Sequence, residues 1–447
     1  SRGLGDVYKR QPLARTTFDM ILAAEMAATA RAQLLQSGFA LTGATEPVTD
    51  LQSVRSVARQ LAEEPPDLLV VFQATFADST MVMSLADTVD APLMLWAVPE
   101  ARTGGRLRLN SFCGINLGAH ALRRAGYGYD HIYALPGDPE PIERIRVLAL
   151  AGRARRLVRQ ARLGRVGDNP DGFDSCHFAA GALEDRFGLD VIQVELGDVF
   201  ELANGADTQQ VDALERAMLN RLDGFQELDR PAMRRTLASY LALRTLAEDK
   251  GLDGLAVRCW PEFFIELRCA ACGAMSMLSD ELTPCSCEAD VNGTITQLIL
   301  QWLSGEPAFG TDVVSFDLDE DKVVVWHCGL APLSMADPAQ RPRATNHSNR
   351  QLPLLMEFPL RPGRVTVARL SEATGDFRLV VAGGEMLRAP MSFSGTSGVL
   401  RFDTPAAQVL ETILDEGLEH HISLTYGDHL PSLLALARIL ELPVLRL

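Results

Sequence analysis

No stretch of eighteen or more consecutive apolar residues occurs in this chain, so no segment reads as a membrane-spanning helix and no membrane partner is expected. Nothing near its start combines a basic region, a short apolar core and a small-residue cleavage site, so no signal peptide is read there. Neither GxGxxG nor a Walker sequence is present, which leaves nucleotide binding without its usual phosphate cradle. Positive charge is in deficit: 42 Lys and Arg stand against 58 Asp and Glu, a net charge of -16. A nucleic-acid partner needs clustered cations, so that class is excluded. The one basic run, Gly152 to Arg165 (GRARRLVRQARLGR), spaces its Arg residues helically around Leu157, Val158 and Ala161 and reads as a solvated helix face. Cysteine is sparse as well. Eight in 447 residues, mostly flanked by apolar or strand-like sequence, make no small disulfide scaffold and suit a reducing cytoplasm. Repeats at solenoid periods and low-complexity tracts are also missing.

What is present is an ordinary globular composition, 47% hydrophobic and 22% charged, in a chain too long for one core. Ser1 to Gln11 (SRGLGDVYKRQ) reads as translated sequencing-adapter read-through, and residues 1–11 are set aside as a non-native leader. From Pro12, PLARTTFD reads as the tail of a first strand whose beginning is missing, which leaves the first sheet a strand short or imperfectly paired. Beyond it, continuous apolar runs such as Asp67–Phe72 and Pro92–Val98 alternate with helical stretches, the pattern of strands buried on both faces of a parallel sheet. After PGDPEPIERI the same rhythm restarts. Past Ala336 short β-rich segments and Gly-containing turns take over. The expected fold class is α/β: two doubly wound Rossmann-like α/β domains, 12–143 and 144–335, followed by a β-rich C-terminal domain, 336–447.

Polar residues gather at strand ends and helix starts, where α/β proteins bind ligands. Glu288 precedes a helical run, Asp312 opens a strand, His327 ends one, and His429 sits in a turn after strand Ile422 to Tyr426. Two carboxylates with one or two imidazoles make an O/N site for a divalent ion such as Mn²⁺, with Co²⁺ or Mg²⁺ as alternatives. Taken singly, Asp312 also reads as a cap and His327 as a hydrogen-bonded core histidine. Cys269-x-x-Cys272 with Cys285-x-Cys287 has spacing for Zn²⁺ or an Fe–S cluster, but its small apolar surroundings favour buried free thiols. The polar segment Thr345 to Arg350, with His347 and Asn349, suits sugar hydroxyls or a surface turn. Gln73, Phe76 and Asp78 follow one buried strand and Trp96 to Glu100 lies on the next, where each faces a ligand or, for Trp96, packs in the core.

Several of these segments resemble the L-fucose/L-arabinose isomerase family. CEADVNGTITQLIL is similar to the segment around its first metal glutamate, and TDVVSFD to that around its second metal carboxylate. KVVVWHCG resembles the arabinose-type metal-histidine segment, and TYGDHLPSLLALARILELPV the C-terminal metal-histidine strand and helix. HSNR ahead of EFPLRPGRV resembles a substrate-contacting segment. The similarity runs from Pro12 onward, in a chain shorter than typical members. It implies a fucose isomerase-like aldose–ketose isomerase acting on a monosaccharide through a cis-enediol. Glu288 and Asp312 would hold the ion and move protons, with His327 and His429 as further ligands and Asp428 competing with His429. A homo-oligomer, trimer or hexamer, is implied, with each site completed by a neighbouring subunit. A non-catalytic sugar-binding protein and a thiolate-metal or redox protein are the alternatives. Which sugar is used, and whether it carries a sulfo, phospho or deoxy group, stays open.

Overall fold

The computed structural model describes residues 7–447, with side chains from Gln11 onward. Contacts divide the chain into two compact units, one of residues 1–156 with Arg438–Leu440, the other of Leu157–Ala437 with Glu441–Leu447.

In the first unit five strands form a parallel sheet: β1 (Val7–Leu13), β2 (Ala40–Thr42), β3 (Leu68–Gln73), β4 (Leu93–Ala97) and β5 (Asp130–Tyr133), ordered β2-β1-β3-β4-β5. Every residue of β3 and β4 is buried, as their unbroken apolar runs require of strands covered by helices on both faces. Asp19, Asp50 and Asp78 cap the helices Met20–Gln36, Leu51–Glu63 and Ser79–Ala86, each side chain accepting a first-turn N–H. Val7 pairs with Ala40 and Lys9 with both Thr42 and Leu69, so part of the segment set aside as a leader is the start of an inner strand. Residues 1–6 of that segment lie outside the described residues. The basic run is less solvated than expected: Arg155 pairs with Asp90 at 2.5 Å and Arg156 with the buried Asp67 at 2.7 Å.

The second unit opens with a four-stranded parallel sheet of β6 (Arg162–Val166), β7 (Asp190–Val194), β8 (Gly254–Val257) and β9 (Cys285–Ser286), ordered β7-β6-β8-β9. Nine strands follow: β10 (Phe309–Asp317), β11 (Lys322–His327), β12 (Arg343–Thr345), β13 (Leu355–Pro359), β14 (Gly363–Ser371), β15 (Arg378–Leu387), β16 (Thr396–Phe402), β17 (His421–Tyr426) and β18 (Val444–Arg446). They share one sheet in the order β12-β13-β16-β11-β10-β17-β14-β15-β18, and a further β15–β16 pairing closes six of them into a barrel. Here the structure corrects the sequence boundary. β10 and β11, assigned to the second α/β domain, are barrel strands. Strand pattern reports burial and not partners, and their partners β16 and β17 lie 69 or more residues further on.

The helix Val291–Ser304 joins the two sheets, packing on β8 and on β14 and β17. It is buried on nearly all sides, polar residues included. Those residues bond inward: Thr294 Oγ1 donates to the Leu255 carbonyl at 3.1 Å and Gln297 to Ser286 Oγ at 2.8 Å. Whatever precedes this helix is thereby held at the meeting of parallel sheet and barrel.

Candidate metal centre

The residues just before that helix are Glu288, Ala289 and Asp290. Beyond the carboxyl end of β9 the chain turns with Glu288 at φ 60° and Ala289 at φ 55°, two consecutive left-handed non-glycine residues. Each such residue costs about 1–3 kcal/mol, so the turn persists only if its surroundings hold it. Asn169 does so. Its buried Nδ2 donates to the carbonyls of Glu288 at 2.9 Å, Ala289 at 3.3 Å and Cys176 at 2.8 Å, while Arg165 donates to its Oδ1 at 2.7 Å. The Glu288 carboxylate then accepts from Trp260 Nε1 at 3.1 Å on one oxygen and lies 3.1 Å from His420 Nε2 on the other.

Asp312 and His421 reach the same place from the barrel, as register partners on β10 and β17. His421 Nε2 lies 3.5 Å from Asp312 Oδ1 and 3.8 Å from Glu288 Oε2. Its Nδ1 is 3.0 Å from Asp290 Oδ2, and Asp290 in turn pairs with Arg369 at 2.5 Å, both fully buried. An ionised carboxylate only accepts, so Nδ1 donates to Asp290 and Nε2 is the nitrogen turned toward Asp312 and Glu288. Asp290 also caps the helix through Gly293 N at 2.8 Å.

Does this set fit a divalent ion? Asp312 Oδ1 is buried and has no hydrogen-bond donor, although it faces an imidazole nitrogen. Two ligands about 2.1 Å from an ion and at right angles lie about 3 Å apart, so distances of 3.5 and 3.8 Å need only a small contraction. Donor atoms of Asp312, His327 and His421 lie within 4.8 Å of one another, as do those of Cys176, Glu288, His420 and His421. Oxygen and imidazole donors around an unpartnered carboxylate oxygen fit a borderline divalent cation.

Charge at the site follows from these contacts. Burial raises the Glu288 carboxyl, but the hydrogen bond from His420, the nearby His421 and the hydrogen bond from Trp260 outweigh it and hold the group below its ordinary value. Burial likewise lowers His420, and its bond to Glu288 with the nearby Asp312 and Asp290 brings it above the usual imidazole value. Asp290, though buried, is held well below the carboxylate range by Arg369 and His421. Burial pushes Cys176 far up, so it faces Glu288 as a thiol at 3.7 Å.

A cleft of about 430 Å³ opens beside these groups, lined by Glu288, Asp312, His327 and His421 together with His347, Asn349 and Arg350. Glu288, Asp312 and His327, singled out on sequence, are thus brought together, and His347 and Asn349 line the same cleft. His327 Nδ1 accepts from Cys328 N at 2.8 Å, and its ring stacks at 5.6 Å on His421.

His429 does not join them, a correction to the expected ligand set. Its Nε2 lies 3.1 Å from the Tyr426 carbonyl at the head of helix Leu430–Ile439, and the exposed Asp428 accepts from Leu430 N at 3.3 Å. β17 runs antiparallel to β10, so its first residue, and not its last, is level with Asp312. Five residues of strand, roughly 17 Å, separate the two ends. His421, with His420, takes that place; the tandem histidines immediately ahead of the apolar run were the available signal. Asp290 had none beyond a helix-capping position.

Gln73, Phe76 and Trp96 belong to the first unit. Trp96 is a second correction: it is fully buried, donates Nε1 to the Ala134 carbonyl at 3.0 Å and meets Phe72 edge-on at 5.2 Å, which leaves no group free for a ligand. Phe76 is half-buried against Phe18, 5.9 Å between rings. Gln73 is buried with both amide atoms lacking partners. The four cysteines weighed as a thiolate site do not converge either. Cys269 lies 4.0 Å from Ser239 Oγ, Cys285 donates to the Thr283 carbonyl, and Cys272 is 3.4 Å from Cys328 instead.

The chain is similar to known proteins along most of its length. Residues 12–146 match the model of the fucose/sulfoquinovose isomerase N-terminal domain, and residues 326–447 that of the L-fucose isomerase C-terminal domain. A sulfoquinovose isomerase of Alkalicoccus urumqiensis is 32% identical over 395 residues, 87% of this chain and 88% of that protein. Sulfoquinovose isomerases of Priestia aryabhattai (30% over 436 residues, 96% and 97%) and Clostridium sp. strain MSTE9 (31% over 383 residues, 84% and 85%) are similar along comparable spans.

Proposed function

The chain belongs to the fucose/sulfoquinovose isomerase family of aldose–ketose isomerases, and from that premise we propose that it interconverts sulfoquinovose, a glucose-type aldose with a sulfonate on C6, and the matching 2-ketose. The observation that carries the reading is the convergence of two carboxylates on one imidazole nitrogen, Asp312 at 3.5 Å and Glu288 at 3.8 Å from His421 Nε2, at the wall of an open cleft. Glu288, Asp312 and His421, with His327 beside them, would hold a divalent ion, Mn²⁺ or else Co²⁺ or Mg²⁺. Such an ion supplies polarisation of the sugar's carbonyl and adjacent hydroxyl oxygens.

The chain's own groups carry the protons. Glu288, fixed on one oxygen by Trp260 and on the other by His420, takes the proton from C2 of the aldose and returns it to C1. Asp312, whose Oδ1 has no competing donor, moves the hydroxyl proton from O2 to O1. The sum is a 1,2-hydrogen shift through a cis-enediol with no net gain or loss of protons or electrons. Asp290 and Arg369 keep His421 oriented throughout. His347 and Asn349 bind sugar in the cleft, and Gln73 and Phe76 contact it from a neighbouring subunit of a trimer or hexamer. The eight free thiols suit a cytoplasmic location.

The test is the metal-loaded chain with sulfoquinovose in D₂O, followed by proton NMR. Loss of the C2 proton signal with growth of the ketose supports the reading. Fully metallated protein that isomerises fucose or arabinose and leaves sulfoquinovose untouched would replace the substrate.

A further inference from the structure

In the same cleft, the guanidinium of Arg350 lies over two aromatic rings, 5.0 Å from the Trp260 centroid and 5.1 Å from that of Phe264. Other arginines near this cleft are neutralised: Arg258 pairs with Glu262 at 2.8 Å and Arg165 with Asp168 at 2.7 Å. Among the described residues Arg350 has no such carboxylate partner, and it lines the cleft wall with His347 and Asn349. Trp260 ties the two ends together, since the ring under Arg350 is the one whose Nε1 holds Glu288. One indole therefore carries the cation against its ring and the proton-transfer carboxylate on its Nε1. His347 adds a donor without charge. Burial and the Arg350 charge pull its imidazole down to about 4, and its Nδ1 accepts from Asn349 N at 3.3 Å, so the hydrogen is on Nε2.

We propose that Arg350, with the His347 and Asn349 side chains beside it, forms the subsite that reads a singly charged anionic group, a sulfonate, at the end of the substrate remote from C1 and C2. The inference rests on the isomerase reading above and names the residue that sets its specificity. A guanidinium lying over aromatic rings keeps its N–H donors free of carboxylate partners, so it can present a pair of them to two oxygens of one tetrahedral anion. A sulfonate brings one negative charge and is neutralised by this one arginine. A phosphate dianion brings a second, and among the described residues no other arginine or lysine lines this cleft to meet it.

The experiment compares the metal-loaded wild type with Arg350→Met and Arg350→Lys on three sugars: sulfoquinovose, 6-deoxyglucose and glucose 6-phosphate. The wild type is expected to favour sulfoquinovose over both others. In Arg350→Met the ratio of kcat/KM for sulfoquinovose to that for 6-deoxyglucose should fall on the order of 10- to 100-fold, mostly through KM, and Arg350→Lys should recover part of it. A ratio unchanged in both variants, with the wild type discriminating, overturns the assignment of Arg350 alone. A wild type preferring glucose 6-phosphate overturns the charge argument. A wild type that turns over 6-deoxyglucose as well as sulfoquinovose overturns the substrate reading itself. As a readout independent of turnover, the NMR titration midpoint of His347 should rise from about 4 in Arg350→Met; an unmoved midpoint places the guanidinium elsewhere and also counts against the proposal.

Discussion

Asp312 and His421 stand directly opposite one another on antiparallel neighbours of the barrel, His421 Nε2 3.5 Å from Asp312 Oδ1. The pair is 109 positions apart in sequence, yet its geometry is set by a sheet ladder, one of the stiffest ways to hold two side chains. Glu288 approaches from the other side on a strained turn. The site is therefore assembled where the end of a parallel sheet meets a barrel wall, and both supports are rigid.

His421→Ala should abolish stoichiometric binding of a divalent ion, because it removes the one nitrogen facing both carboxylates. His429→Gln should leave metal content near that of the wild type, its ring being engaged with the Tyr426 carbonyl. Elemental analysis of purified variants after Mn²⁺ loading checks both. Loss of metal in His429→Gln with retention in His421→Ala would reverse the two roles.

The buried Asp290–Arg369 pair couples stability to the site. Asp290→Ala leaves Arg369 at 2% exposure with Glu419, 3.9 Å away, as its remaining carboxylate among the described residues, and should cost about 3–5 kcal/mol, read as an earlier urea midpoint. It should also loosen metal binding about 10- to 100-fold by freeing His421. The folded value of Asp290 is depressed. Its stabilisation is therefore complete above the unfolded carboxyl value of about 4 and is lost as pH falls from there through the folded value. The wild type should lose more stability than Asp290→Asn on acidification below about pH 4; parallel pH profiles would remove this pair from the account.

Asn169 supports the turn bearing Glu288 through two of its carbonyls, Glu288 and Ala289, and ties it to the Cys176 carbonyl. Asn169→Leu keeps the volume and removes the donors. A displaced Glu288 should lower kcat about 10- to 100-fold, while KM for the sugar stays within a few-fold. A loss confined to thermal stability, with kcat intact, would reduce Asn169 to a packing role.

Local pattern was enough to read alternating strands and helices, the β-rich end, and three of the residues at the site. Buried parallel strands such as Leu68–Gln73 are unbroken apolar runs, and Glu288, Asp312 and His327 each sit at a strand end or helix start, positions visible one segment at a time. What local pattern does not carry is partnership. The assignment of Phe309–His327 to the barrel, the choice of His421 over His429, and the carboxylate of Asp290 behind that imidazole all depend on which strands pair and in which direction. Trp96 shows the same limit, since a tryptophan beside a strand end reads alike whether its ring faces a cleft or the core. Composition and periodicity record how deeply a residue is buried, because burial follows from hydrophobicity position by position. Which buried residues meet is decided by long-range ladder hydrogen bonds and packing, whose energy belongs to pairs of segments far apart in the chain.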